Sequence, residues 1–205
     1  LHSFPTRRSS DLAYLGPIHF WLYNKILFQE DLLDAIAAYA INNNWLTADE
    51  AATYTAADRR ELSEAVDGAN IHGWLQNRIH DGEGRYAALV TKLTSADTNR
   101  LDALKQVVFD FGRSSQTEVP ATAPEAFHQL DNILLNGMPC DQVMKVIESN
   151  PDKVIWEETQ DLHSQFWNGN GTYYYDLRAA LIKGLLAGST LSFTATGDNN
   201  YEISN

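Results

Sequence analysis

Residues 18–26 are I-H-F-W-L-Y-N-K-I, and residues 71–79 are I-H-G-W-L-Q-N-R-I. The second stretch repeats the first at a constant offset, and the same register matches Glu30 with Glu83. The shared pattern is I-H-x-W-L-x-N-[K/R]-I followed by glutamate, and it contains the rare residues histidine and tryptophan at fixed positions. Chance is a poor explanation for such a recurrence, so we interpret it as two copies of one structural unit.

Both copies lie in segments with the apolar spacing of an α-helix. The first predicted helix runs from Pro17 to about Ala40, and the second runs from about Ala69 to Leu93. Two similar helices predict an internal helix duplication, packed about a pseudo-two-fold axis. Each copy would bring one histidine, His19 or His72, to its apolar face.

Further helices and one β-hairpin are predicted for the rest of the chain. Capping boxes at residues 47–50 and 122–125 mark two helix starts. Asn150-Pro151 predicts another start, of a helix that runs to about Trp167. Alternating residues 190–203 predict a terminal hairpin. The expected fold is mainly α: a multi-helix bundle of seven or eight helices with a short C-terminal β-hairpin. Residues 13–205 would form a single helical domain, with a linker at 112–121.

The extreme N-terminus has a different character from the rest of the chain. Residues 2–12 are H-S-F-P-T-R-R-S-S-D-L, which resembles the translation of a common sequencing adaptor. The run lacks the apolar stretch of a signal peptide. We expect residues 1–12 to be an artefact and the authentic protein to begin near Ala13.

Composition and charge limit the partners and the location. The formal net charge is −12, and an acidic surface repels both nucleic acid and anionic membranes. Apolar runs are interrupted before they reach the roughly 18 residues that span a bilayer. Cys140 is the single cysteine, which precludes an intramolecular disulfide. These features predict a cytoplasmic protein whose partner is a small-molecule ligand or another protein, with no nucleic acid and no membrane.

The repeated helices also carry the candidate site. Residues 11 apart on an α-helix differ by only about 20° in direction, so His19 shares a face with Glu30, and His72 with Glu83. About 16 Å separates the members of each pair along the axis, so one helix cannot hold an ion alone. Antiparallel helices would pair each histidine with the other glutamate, whereas helices that cross at the histidines would bring the two imidazoles together.

Two further residues complete the candidate metal site. On the predicted helix that ends near Trp167, His163 shares a stripe with Trp156 and faces the interior. Cys140 stands at a predicted helix N-terminus, where the helix dipole favours a thiolate. Three histidines with a thiolate or a glutamate could bind zinc or iron. The predicted metal ligands are His19, His72, His163, Cys140, Glu30 and Glu83, in a metal-dependent hydrolase or a redox protein.

Other interpretations of the same residues remain open. A histidine in an apolar stripe is most often a hydrogen-bonded core residue, and Cys140 alone is most often a small hydrophobic residue. Cys140 with a histidine base would make a thiol hydrolase or transferase. The main alternative is a non-enzymatic acidic module that binds a basic protein, in which the histidines are purely structural.

Three phrases carry a resemblance to known sequences: residues 16–26 (G-P-I-H-F-W-L-Y-N-K-I), residues 70–76 (N-I-H-G-W-L-Q) and residues 138–141 (M-P-C-D). They resemble uncharacterised helical proteins of anaerobic bacteria over most of the chain from Tyr14 onward. The resemblance implies a bacterial, cytoplasmic origin, and it assigns no role to any residue.

Overall fold

A computed structural model describes residues 15–66, 70–197 and 199–205. These residues form seven α-helices and four β-strands, so the chain is mainly α, as predicted. The helices are α1 (Pro17–Asn42), α2 (Ala48–Thr55), α3 (Leu62–Ala65), α4 (Ile71–Ala96), α5 (Arg100–Ser114), α6 (Ala123–Ile133) and α7 (Gly171–Leu185). The strands are β1 (Met144–Asn150), β2 (Lys153–Glu158), β3 (Ser192–Gly197) and β4 (Asn200–Ser204).

The two motif helices, α1 and α4, pack against each other and run in the same direction. Near their N-termini His19 contacts His72, and farther along Glu30 of α1 contacts Arg85 of α4. Between these points Gly82 of α4 faces Glu30, since a Cβ at Gly82 would lie 3.6 Å from Glu30 Oε1. Because both helices run in the same direction, the equivalent histidines His19 and His72 come together.

Residues 144–158 form a β-hairpin, and the helix predicted from Asn150 to Trp167 is wrong. Side chains on β2 alternate between intermediate exposure and burial, with Val154, Trp156 and Glu158 inside. Asn150-Pro151 forms the turn of this hairpin, where Asn150 Oδ1 accepts a hydrogen bond from Asp152 N at 3.1 Å. Asparagine and proline favour a tight turn as much as a helix start, so the same dipeptide fits both structures.

The predicted C-terminal hairpin is confirmed as β3 and β4, but it belongs to a larger sheet. The strand order is β1-β2-β4-β3, and all neighbours are antiparallel. Trp156 packs its ring against Phe127 of α6 at 5.2 Å and against Tyr201 of β4 at 5.6 Å. The sheet therefore shares one apolar core with the helices.

Close backbone contact joins α5 to α7. Gly112 of α5 lies against the backbone of Leu181, and Gly184 of α7 lies against the backbone of Phe109. Since α5 continues to Ser114, the first three residues of the predicted linker 112–121 are helical.

A second, smaller apolar cluster lies between the N-terminal halves of α1 and α4. Leu22 and Ile26 of α1 meet Leu75 and Ile79 of α4, and Met138 from the segment after α6 packs onto them. This cluster supports the cavities described below.

Several predictions fall on residues outside the described ranges. They concern the adaptor-like residues 2–12, the start of the second predicted helix at Ala69, and position 198 within the predicted hairpin 190–203. Within the described ranges, each helix is too short or too polar to cross a lipid bilayer.

Candidate functional site

The segment between α6 and β1, residues 134–143, organises the candidate site, and we call it the 134–143 loop. Leu134, Leu135 and Met138 bury their side chains, and Asp141 Oδ2 accepts a hydrogen bond from Met138 N at 2.8 Å. Pro139–Asp141 forms one turn of 3₁₀-helix. Three cavities border this loop, and each contains ionisable side chains.

The first cavity, the histidine-pair cavity, has a volume of about 430 Å³. His19, His72 and Cys140 all line it, so three of the six predicted site residues share one space. His19 Nε2 lies 3.2 Å from His72 Nε2. Of the two arrangements that the sequence left open, the structure has the one in which the two imidazoles meet. The other lining side chains are mostly apolar and include Leu22, Leu75 and Met138.

The hydrogen bonds of His19 indicate which of its two ring nitrogens carries the proton. Gly16 N donates to His19 Nδ1 at 2.9 Å, so Nδ1 carries a lone pair and the proton of the neutral ring sits on Nε2. His19 Nε2 then donates to His72 Nε2. A metal-bound histidine usually has the opposite arrangement, with its second nitrogen donating to an oxygen. This geometry favours a hydrogen-bonded imidazole pair over a metal site.

Solvent exposure corrects two sequence predictions in this cavity. His72 is exposed and His19 is only half-buried, so the pair lies at the rim and does not point into the core. Cys140 is exposed and is the middle residue of the short 3₁₀ turn. One turn of 3₁₀-helix has no appreciable macrodipole, so the expected thiolate at a helix N-terminus loses its basis.

The second cavity, the Glu83–His163 cavity, has a volume of about 300 Å³. Glu83 of α4 and His163, which follows β2, both line it, and their side chains are only 2% and 3% exposed. Gln76 lines both this cavity and the histidine-pair cavity, so the two spaces adjoin. His163 is buried as predicted, although it precedes a 3₁₀ turn and does not belong to an α-helix.

A polar network holds the far side of the His163 ring. Asn136 Nδ2 donates to Glu158 Oε1 at 3.2 Å, which leaves Asn136 Oδ1 to accept from His163 Nε2 at 3.0 Å. Tyr174 Oη lies 3.0 Å from the same nitrogen. Arg178 Nη1 donates to Glu158 Oε1 at 2.5 Å. Nε2 of His163 therefore carries a proton, and Nδ1 faces Glu83.

Glu83 contrasts with the other buried carboxylates. Glu83 Oε2 lies 3.2 Å from His163 Nδ1, within the distance of an ion pair. The described residues give neither carboxylate oxygen a hydrogen bond, and Nδ1 of His163 also lacks one. Burial raises the pKa of Tyr86, and the nearby Glu83 carboxylate raises it further. Burying a carboxylate without a hydrogen-bond donor destabilises the folded protein, so Glu83 is unusual among the buried side chains.

Glu30 lies away from both cavities, and its assignment as a metal ligand is not supported by its surroundings. Arg85 Nη1 donates to Glu30 Oε2 at 2.8 Å, and Arg85 Nη2 bonds the second carboxylate oxygen. Arg78 Nη2 lies 3.8 Å from the same carboxylate. A bidentate guanidinium satisfies both oxygens of Glu30.

The third cavity, the Lys25 cavity, was missed by the sequence analysis. It has a volume of about 240 Å³, and Lys25, Trp21 and Asp131 line it together with the 134–143 loop. Lys25 is only 4% exposed, and its Nζ donates to Asp131 Oδ1 at 3.4 Å. A sequence signal existed, because Lys25 follows Leu22 by three residues and therefore lies on the buried stripe of α1.

The predicted ligands thus divide between two places. His19, His72 and Cys140 meet in one cavity, Glu83 and His163 meet in another, and Glu30 belongs to neither. Over the described ranges, no three histidine, cysteine, aspartate or glutamate side chains converge as a metal site would require. Comparison with protein-family models, with curated proteins and with solved structures finds no match to this chain.

Proposed function

We propose that this protein binds a small organic molecule whose N–H or O–H group, most favourably a cationic amine, contacts Glu83. The buried carboxylate of Glu83 carries the proposal. It lines a cavity, and the described part of the chain supplies it with no hydrogen-bond donor. A donor from a ligand would restore the interaction that the carboxylate lost when it left water, which is worth about 1–3 kcal/mol or more for a charged group.

The shape and the surroundings of the cavity suit such a ligand. A volume of about 300 Å³ is at the lower end of the range for small-molecule sites. The adjoining histidine-pair cavity offers Leu22, Leu75 and Met138 as an apolar surface. The ligand class we favour is therefore a small amine with an apolar tail, the head on Glu83 and the tail toward Leu75.

Hydrolysis and redox chemistry are not part of this proposal. Cys140, the one thiol, lines the histidine-pair cavity and not the cavity that holds Glu83. Zinc or iron binding stays a prediction. It would require the lone pair of His19 Nε2, the atom that carries the proton in the hydrogen-bonded pair, although the separation of the two Nε2 atoms would fit. Two ligands on one tetrahedral zinc would lie about 3.3 Å apart, close to the 3.2 Å between His19 and His72. Acidic protein docking also stays a prediction.

Three probes with the same four-carbon chain test the proposal: butylamine, butanol and butyrate. We would measure their dissociation constants by ¹H–¹⁵N NMR titration of the full chain. Butylamine should bind more tightly than butyrate by at least about tenfold, which corresponds to about 1.4 kcal/mol. Glu83→Gln should abolish this preference, while Glu118→Gln, which neutralises an exposed carboxylate, should preserve it.

Two results would count against the proposed function. One is equal binding of butylamine and butyrate, and the other is an amine preference that survives Glu83→Gln. Elemental analysis of the same preparation, purified without added metal, tests the metal prediction. Stoichiometric zinc or iron that is lost in a folded His19→Ala variant would establish a metal site instead.

A further inference from the structure

Lys25 is a buried amine at the wall of a cavity, and neither the proposed ligand site nor the metal prediction uses it. Its Nζ lies 3.5 Å from the centre of the Trp21 ring and 3.4 Å from Asp131 Oδ1. The apolar side chains Met138 and Val143 of the 134–143 loop line the same cavity. The ammonium thus has an aromatic face and one long hydrogen bond in place of its hydration shell.

This environment makes the amine unusually easy to deprotonate. Burial lowers the pKa of Lys25 to about 8, and the nearby Asp131 carboxylate offsets only part of that effect. At a pH of about 7.5, about a quarter of the Lys25 side chains would then be neutral amines, compared with about 0.1% for an ordinary lysine. Lysines in apolar pockets with such depressed pKa values act as nucleophiles toward carbonyl groups.

We propose that Lys25 forms an imine with a small aldehyde or ketone bound in the Lys25 cavity. The lone pair of neutral Nζ attacks the carbonyl carbon, and a carbon–nitrogen bond forms while the carbonyl π-bond breaks. Asp131 accepts a proton from the nitrogen and passes it to the carbonyl oxygen, which gives a carbinolamine. A second proton, from solvent, then lets this oxygen leave as water while the nitrogen lone pair forms the carbon–nitrogen double bond. Amine, carbonyl compound and one proton thereby give a protonated imine and one water.

The cavity favours this reaction and limits the size of the carbonyl compound. A volume of about 240 Å³ holds roughly eight water-sized groups at about 30 Å³ each. Met138 and Val143 make part of the wall apolar, and Asn136 and Gln142 make part of it polar and neutral. Asp131 of α6 is the charged side chain that faces Lys25, and the other lining side chains in the described part of the chain are uncharged.

Reductive trapping on the 205-residue chain tests the proposal. Propanal is the carbonyl probe, cyanoborohydride reduces the imine to a stable amine, and peptide mass spectrometry gives the rate at each lysine. At a pH of about 7.5 we expect Lys25 to react on the order of tenfold faster than the exposed Lys145, because a larger neutral fraction outweighs the lower nucleophilicity of a less basic amine. The rate at Lys25 should level off above a pH of about 8.

Two variants separate a reactive amine from a merely structural ion pair. Lys25→Arg retains the positive charge beside Asp131 but cannot form an imine, so trapping at this position should disappear while trapping at Lys145 is unchanged. At a pH of about 9, where Lys25 is mainly a neutral amine with or without the Asp131 charge, Asp131→Asn should slow trapping at Lys25 because the proton acceptor is lost. Circular dichroism would confirm that both variants remain folded. Trapping of Lys25 no faster than that of Lys145, or a rate that keeps rising up to pH of about 10, would overturn the proposal.

Discussion

Glu83 and Glu158 are two buried glutamates whose replacement by glutamine should have opposite effects on stability. Both side chains are almost fully buried, at 2% and 3% exposure. Arg178 Nη1 and Asn136 Nδ2 both donate to Glu158, whereas Glu83 has only the misaligned contact with His163. The two substitutions therefore remove the same charge, once from a carboxylate that accepts hydrogen bonds and once from a carboxylate that accepts none.

The surroundings set the expected magnitudes. Glu158→Gln leaves the guanidinium of Arg178, which is 4% exposed, without a counter-charge. Breaking a buried ion pair in this way costs about 3–5 kcal/mol. Glu83→Gln removes a carboxylate that pays desolvation without a donor, and the new amide can donate to the Nδ1 atom of His163. We expect Glu83→Gln to stabilise the free protein by about 1 kcal/mol.

Urea unfolding at a pH of about 7.5, followed by tryptophan fluorescence, measures both changes. The two variants should differ by about 4 kcal/mol or more in the free energy of unfolding, with wild type between them. Similar destabilisation by both substitutions would refute the reasoning, since it would mean that Glu83 is already satisfied within the fold. Under the proposed function, the more stable Glu83→Gln variant is also the one that loses amine binding.

Three further predictions concern packing, pH and capping. Gly184→Ala should destabilise the protein by about 1–3 kcal/mol, because the new Cβ would lie 2.9 Å from Arg113 N. Gly84→Ala should stabilise it by about 0.5–1 kcal/mol, because nothing lies within 4 Å of the new Cβ and alanine favours a helix. Thermal unfolding measures both changes. The pKa of Lys25 is about 8 in the folded protein, below its unfolded value of 10.5, so the unfolded chain binds more protons between these two pH values. The free energy of unfolding should therefore rise with pH in this range, by at most about 3 kcal/mol. Lys25→Met should remove that rise in urea titrations at several pH values. Thr122→Ala should cost about 1 kcal/mol in the same assay, because the hydroxyl of Thr122 caps α6.

The helical part of the fold followed from local signals in the sequence. Capping boxes at Thr47 and Thr122 gave the starts of α2 and α6 within one residue, because the side chain that caps a helix is a local feature. Residues 144–158 were assigned wrongly for the same reason. Strand β1 pairs with its neighbour β2, but β2 also pairs with the distant β4, and the local dipeptide Asn150-Pro151 serves a turn and a helix start equally.

The candidate site was predictable only where sequence position determines contact. His19 and His72 occupy equivalent positions in the recurring pattern, so the sequence offers their contact as one of two arrangements. The other has antiparallel helices, and tertiary packing decides between the two. The prediction that His163 is buried is right for a wrong reason, because it assumed a helical stripe with Trp156, whereas Trp156 lies on β2 and His163 precedes a 3₁₀ turn. Glu30 was misassigned because Arg85, on another helix, neutralises it, and a partner that is distant along the chain leaves no local pattern.

The recurring sequence pattern allows equivalent positions to be compared, which separates residues in structural contacts from those at cavities. Glu30 and Glu83 occupy equivalent positions, yet Arg85 satisfies Glu30 while Glu83 faces a cavity. Lys25 and Arg78 are also equivalent. Arg78 Nη2 donates to the carbonyl oxygen of Asp58 at 2.9 Å, while Lys25 lines a cavity.

Each of the two similar segments, 18–30 and 71–83, therefore has one charged residue in a structural contact and the other at a cavity wall. Packing alone would favour close hydrogen bonds for all four side chains, because poorly paired buried charges destabilise a fold. Lys25 has one long hydrogen bond, to Asp131, and Glu83 has none within the described residues. The two that line cavities, Lys25 and Glu83, are the positions at which the fold forgoes stability. Such positions concentrate at functional sites, and for that reason both proposals rest on them.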